Sequence, residues 1–186
     1  MRLLAGLLGV LLLTAFPAAA QDYHPQLSGY SWTYTNGETQ ALSGPRDFGG
    51  QQVMVLTHWL RGDAVSEDYL VYSPRGIEHV GTAAGGSVLV YSPALLAFAA
   101  GPYEPGSKWQ STSSIGSVSV TLSAEVLGTR GVETPAGRFN AWQIRQVTVT
   151  STGAQTVLDA YFVPSVGVVR YVMQDGTVVN LVEKNF

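Results

Sequence analysis

Cysteine is absent from all 186 residues. That excludes disulfides, thiol catalysis and Cys-based zinc sites, and with them the lipid-modified Cys of a bacterial lipoprotein. Charge is scarce as well: Asp, Glu, Lys and Arg make up 12% of the chain, against about 25% in ordinary soluble domains. What charge there is comes in no basic run, and the formal net charge is −3. The electrostatic footprint of a nucleic-acid binder is missing.

Long hydrophobic runs are limited to one. Leu3 to Phe16 follows Arg2 and precedes Pro17 and Ala18-Ala19-Ala20. A positive residue, a short apolar stretch and small residues before a cut make a secretory signal over 1–20. The run is shorter than the roughly 20 residues a membrane-spanning helix needs. The expectation is an exported protein, periplasmic or at the cell surface and not integral to a membrane. One domain, 21–186, follows the cut, with no charged or Pro-rich linker dividing it.

After residue 20 the hydrophobic period is 2. Val118, Val120, Leu122, Ala124 and Val126 alternate with Ser, Thr and Glu, the pattern of a half-buried strand. Asn36-Gly37, Pro74-Arg75-Gly76, Pro105-Gly106, Pro135-Ala136-Gly137 and Asp175-Gly176 supply hairpin turn chemistry between such runs. Leu70-Val71-Tyr72-Ser73-Pro74 recurs as Leu89-Val90-Tyr91-Ser92-Pro93, a spacing that suits one strand up, one down and a third up. Trp142 and Ile144 continue a period of 2 that slips to Val147 and Val149, which predicts a bulge near Arg145-Gln146. Only 93–100, apolar throughout, could form a short helix. The fold expected is all-β: an antiparallel meander forming an open or incompletely closed barrel, with a β-sandwich as the alternative.

Catalytic constellations are missing. No G-x-S-x-G elbow occurs, and no H-x-H or H-E-x-x-H pattern. Of the three histidines, His24 is expected in a loose N-terminal stretch, while His58 and His79 could meet only through strand pairing. Glu67-Asp68, with Asp63 nearby, reads as a solvated hairpin tip. Trp32, Tyr34, Trp59 and Tyr69 could stack on a sugar, but core packing is the commoner role. No catalytic residue, metal ligand or cofactor is expected.

Three stretches carry a family likeness. Tyr103-Glu104-Pro105-Gly106-Ser107-Lys108-Trp109 ends in G-x-x-W, Thr134-Pro135-Ala136-Gly137-Arg138-Phe139 is close to T-P-A-G-x-F, and Tyr161 to Arg170 has an aromatic-x-P-x-x-G pattern. In these the second half resembles a bacterial family of periplasmic or surface proteins whose domain has no assigned function. The resemblance implies a curved, incompletely closed antiparallel sheet, similar to the lipoprotein-carrier class of envelope proteins, and carries over no catalytic residue. The expected function is non-enzymatic: a curved sheet binding a lipid-like or other apolar ligand, with Leu95, Leu96 and Phe98 as an apolar lid. The alternative is an accessory subunit of a surface-layer or outer-membrane complex, with envelope proteins as partners. A hydrolase is a residual third.

Overall fold

The computed structural model describes residues 23–186; the signal peptide expected over 1–20 lies outside them. Twelve strands follow one another. The first six are β1 (Ser31–Tyr34), β2 (Glu38–Phe48), β3 (Gln51–Leu60), β4 (Asp63–Ser73), β5 (Gly76–Ala84) and β6 (Ser87–Ala99). The second six are β7 (Lys108–Ile115), β8 (Val118–Thr134), β9 (Gly137–Thr150), β10 (Gln155–Val163), β11 (Gly167–Met173) and β12 (Val178–Lys184). Each pairs antiparallel with its neighbours in sequence, and β1 pairs with β12, so the meander closes into a barrel. The expected turns fall between strands, and the Leu-Val-Tyr-Ser-Pro repeat sits on β4 and β6, either side of β5.

An antiparallel meander alternates its turns between two ends. The upper end here carries turns 35–37, 61–62, 85–86, 116–117, 151–154 and 174–177. The lower end carries 49–50, 74–75, 100–107, 135–136 and 164–166, together with the N-terminal segment 23–30.

Among the described residues no helix occurs. The helix expected over 93–100 is instead the second half of β6, with Leu95 opposite His79, Leu96 opposite Glu78 and Phe98 opposite Ile77. A short all-apolar run fits a buried strand as well as a helix, and the edge of β5 decides it by offering hydrogen bonds. Leu95 and Leu96 are buried in the barrel wall, so the segment proposed as a hinged lid is part of the frame.

The β6–β7 seam is the weak line of the barrel, because only Ser92 and Ser114 are in backbone register there. Pro93, directly after Ser92, has no N–H to give. Side chains replace the ladder. Ser113 Oγ donates to Pro93 O (2.6 Å), Ser111 Oγ accepts from Leu96 N–H (3.0 Å), and Gln146 Nε2 donates to Ala97 O (3.0 Å). This also corrects the bulge expected at Arg145-Gln146. β9 pairs with β10 without a break, and the irregularity lies across from it, between Val126 and Gly128 of β8. Gln146 keeps the inward period because a polar side chain is needed at the seam.

Two hairpins fold beyond the wall. The β2–β3 tip lies over the outer face of β4 and β5, where Phe48 stacks on Tyr69 at 4.1 Å and Arg46 pairs with Glu67 at 2.6 Å. The β8–β9 tip meets β11 and β12 through Ala136 N–H to Leu181 O and Arg170 Nη2 to Glu133 O.

Candidate functional site

Glu38 and Gln40 of β2, His58 and Leu56 of β3, Asp68 and Leu70 of β4, and His79 and Thr82 of β5 share the inward face. Register sets this: Gln40 stands opposite His58, Leu56 opposite Asp68, Leu70 opposite His79, and Asp68 opposite Thr82. Paired residues point to one side of a sheet, and Leu42, Leu56, Leu70 and His79 all line the interior cavity.

That cavity has a volume of about 100 Å³. Its walls are mostly apolar, with Leu42, Leu56, Leu70, Ile77, Phe98 and Phe162 prominent. Toward the upper end the lining turns polar, with Gln40, Tyr34, Tyr171 and His79. Of the three residues expected as a lid, Phe98 faces this space and Leu95 and Leu96 do not line it. Trp32 and Tyr34, weighed as sugar platforms, are cavity wall. Trp32 Nε1 donates to Val166 O (2.6 Å) and Tyr34 Oη to Val168 O (2.9 Å). Tyr69 is buried beneath Phe48, and Trp59 alone of the four stays substantially exposed.

Above the polar lining lies a half-buried ion triad. His58 Nδ1 is 2.7 Å from Glu38 Oε1 and its Nε2 is 3.0 Å from Asp68 Oδ2. Gln40 Nε2 also donates to Glu38 (2.9 Å), and Thr82 Oγ1 to Asp68 (2.7 Å). Burial alone would lower the His58 pKa, but hydrogen bonds to Asp68 and Glu38 carry it up to about 9. The bond from His58 in turn holds Glu38 down to about 2, against the effect of burial. Asp68 is held below its usual value: burial would raise it, and His58, His79 and Thr82 outweigh that. The triad is thus an imidazolium between two carboxylates, with one net negative charge.

Such an arrangement holds strands together and offers little to catalysis. Both ring nitrogens of His58 are committed to carboxylates, so neither is free to take a proton from a nucleophile. Among the described residues, no group of three or more His, Cys, Asp or Glu is placed to hold a metal ion.

His79 differs from His58. It lies deep in the barrel yet faces the cavity, its ring near Tyr91. Burial lowers its pKa, more than the attraction of Asp68 raises it, which leaves it neutral at pH 7. Its imidazole makes no hydrogen bond among the described residues. Tyr171, whose hydroxyl interacts with Tyr34 and Gln40, faces the same space.

The lower end is closed by residues 23–30. Ser165 N–H donates to Tyr23 O (3.1 Å), Tyr103 N–H to Tyr23 Oη (3.1 Å) and Tyr72 Oη to Pro25 O (2.8 Å). His24, expected in a loose stretch, is 5% exposed. Its ring packs among Tyr23, Phe98, Tyr103 and Phe162, and Nε2 donates to Ala99 O (3.1 Å). Apolar rings at the barrel mouth give this segment somewhere to bury Tyr23 and His24, which overrides the looseness common at chain ends.

The Glu67-Asp68 expectation also needs correction. The turn is Arg61-Gly62, and both acids stand in the middle of β4. Successive residues of a strand face opposite ways, so Glu67 meets Arg46 outside and Asp68 meets His58 inside. A polar residue alternating with apolar ones in Asp68-Tyr69-Leu70 was the available signal, but it does not say which face is the interior.

No family model and no curated protein matches the chain, so the family likeness rests on its three stretches. Two solved structures are similar to it at low identity. One is a candidate lipoprotein from Parabacteroides distasonis, 13% identical with a TM-score of 0.48, covering 88% of this chain and 98% of that one. The other, from Bacteroides fragilis, is a candidate exported protein with a YmcC-like fold, 11% identical with a TM-score of 0.49, covering 88% and 99%. Among the described residues, no helix is long and apolar enough to cross a membrane.

Proposed function

We propose that the protein is an exported, non-enzymatic component of the cell envelope whose barrel holds a small apolar or lipid-like ligand. The observation that carries this reading is the interior cavity: apolar walls with a few convergent polar groups at one end, the usual composition of a binding pocket. A barrel evolved only as a frame would fill that space with side chains. The engagement of both His58 nitrogens supports a binding role over a hydrolytic one. Location in the periplasm or at the cell surface rests on the leader-like sequence of residues 1–20.

Calorimetric titration with 1-butanol, which is small enough for the cavity, tests the reading. The wild type should bind one equivalent saturably, and Leu56→Phe, which fills the cavity from its wall, should bind at least tenfold more weakly. No saturable heat, or a variant as good as the wild type, would move the assignment to an accessory subunit working through its outer faces. One observation favours that second reading: Trp59, Leu60, Val65, Val88, Leu89 and Val90 are exposed at neighbouring places on the upper rim, and exposed apolar patches often meet partners.

A further inference from the structure

We propose that the cavity selects a ligand whose polar end is uncharged and hydrogen-bonding, of the alcohol or amide type, and rejects fatty-acid carboxylates. The inference rests on the cavity-binding reading above and specifies its ligand class.

The first support is the lining. No Lys or Arg faces the cavity, and the polar side chains that do, Trp32, Tyr34, Gln40, Tyr72, His79 and Tyr171, carry no formal charge at pH 7. A carboxylate entering there would leave water without a cation to meet it, which is costly in an apolar interior. The second support is the layer above. Glu38 and Asp68 share the single positive charge of His58, so the nearest formal charge is negative and opposes an anion. An ammonium head fares little better than a carboxylate. Both carboxylates already accept from His58, with Gln40 and Thr82 adding further bonds, so few of their lone pairs remain open.

The third support is His79. Its neutral imidazole has one N–H donor and one bare acceptor nitrogen and faces the cavity without a hydrogen-bonded partner among the described residues. A hydroxyl or primary amide presents the complementary donor and acceptor, and Tyr171 stands on the same lining to share it. The apolar part of the ligand then runs down toward Phe98, Phe162 and Pro25 at the lower end.

The experiment is a calorimetric comparison of four butyl compounds on the folded protein at pH 7.5: 1-butanol, butanamide, butanoate and butylammonium. The alcohol and the amide should bind at least tenfold more tightly than either ion. His79→Leu should weaken 1-butanol several-fold at an unchanged strand spectrum. Tyr171→Phe, which keeps the ring, gives a second readout in the same direction if the His79 variant does not fold. Butanoate binding as tightly as 1-butanol overturns the neutral-head assignment while leaving the cavity reading intact. Butylammonium binding tightest also overturns it and makes the triad a cation site. If none of the four binds, the cavity reading fails and this inference falls with it.

Discussion

The two ends of the barrel are closed by opposite chemistry. At the lower end Tyr23 and His24 push aromatic rings into an apolar mouth, and one of the polar atoms carried in with them, His24 Nδ1, is buried without a partner. Inside the upper end, Glu38, His58 and Asp68 satisfy one another and draw in Gln40 and Thr82. The mouth around Gly76 and Gly101 is tightly packed, while the upper turns, like the outlying lower turns at Gly49, Gly50 and Gly106, are open. A Cβ at Gly76 would lie 2.0 Å from Phe98 O and one at Gly101 2.4 Å from the Tyr23 ring, whereas Gly37, Gly62, Gly85 and Gly176 have nothing within 4 Å. The cavity between the ends inherits both characters, apolar below and polar above.

The largest test of that contrast is steric. Gly76 follows Pro74-Arg75 at the lower end with φ +131°, and Gly176 closes an upper turn with φ +85°. Both conformations disfavour a side chain by roughly 1–2 kcal/mol. Gly76→Ala must also displace the β6 backbone, and overpacking of this kind adds about 1–3 kcal/mol. Chemical denaturation should therefore show Gly76→Ala losing about 2–5 kcal/mol and Gly176→Ala only about 1–2 kcal/mol. Equal losses would mean that the mouth at Gly76 is as open as the turn at Gly176.

The second test is pH, where the two ends should respond with opposite sign. The folded pKa of His58, about 9, lies above its usual 6.5. Its stabilisation is complete below 6.5 and is lost as pH rises through 9, an effect on the order of 3 kcal/mol at most. Glu38, held at about 2 against a usual 4.5, keeps its share at every pH above 4.5 and loses it only as pH falls toward 2. His24 runs the other way. Burial lowers its pKa despite the bond to Ala99, because a second proton would sit on Nδ1 among rings. Its contribution is present above 6.5 and is lost as pH falls through the depressed value. Hydrogen exchange corrected for intrinsic rate should show residues 23–30 opening first as pH falls below 6.5, with β2–β4 unaffected down to 4.5. Above pH 9 the order should reverse. Opening of both ends together in acid would refute the division.

The sequence made one end more legible than the other. Hairpin turns and the period-2 alternation of β8 were readable because each depends on neighbours in sequence. The upper triad was not, since Glu38, His58 and Asp68 are brought together by the registers of three strands, and nothing local marks Asp68 as inward and Glu67 as outward. His24 and 93–100 misled for a related reason. A short apolar or aromatic stretch carries no period, and only the finished barrel offers it a wall or a mouth to fill. Gln146 shows a third limit: its inward polar side chain looked like a slipped period because the seam it bridges is set by Pro93, more than fifty residues earlier in the chain.

The smallest expected effect concerns the exposed apolar rim at the upper end. Val88 and Val90 are 56% and 54% exposed, beside Val65 at 46%. If the upper end is held by the ion triad, these valines add little to the fold. Their apolar surface stays in contact with water before and after folding, and surface changes away from buried features usually lie within about 0.5 kcal/mol. Thr is the fitting replacement, since it keeps the branched shape that strands favour and changes only polarity. A Val88→Thr, Val90→Thr double variant should therefore denature at the same midpoint and with the same slope as the wild type, and its affinity for 1-butanol should be unchanged, because neither residue lines the cavity. A loss above 1 kcal/mol would mean that the rim is folded against something in the monomer, and the upper end would then be held by packing as the lower end is.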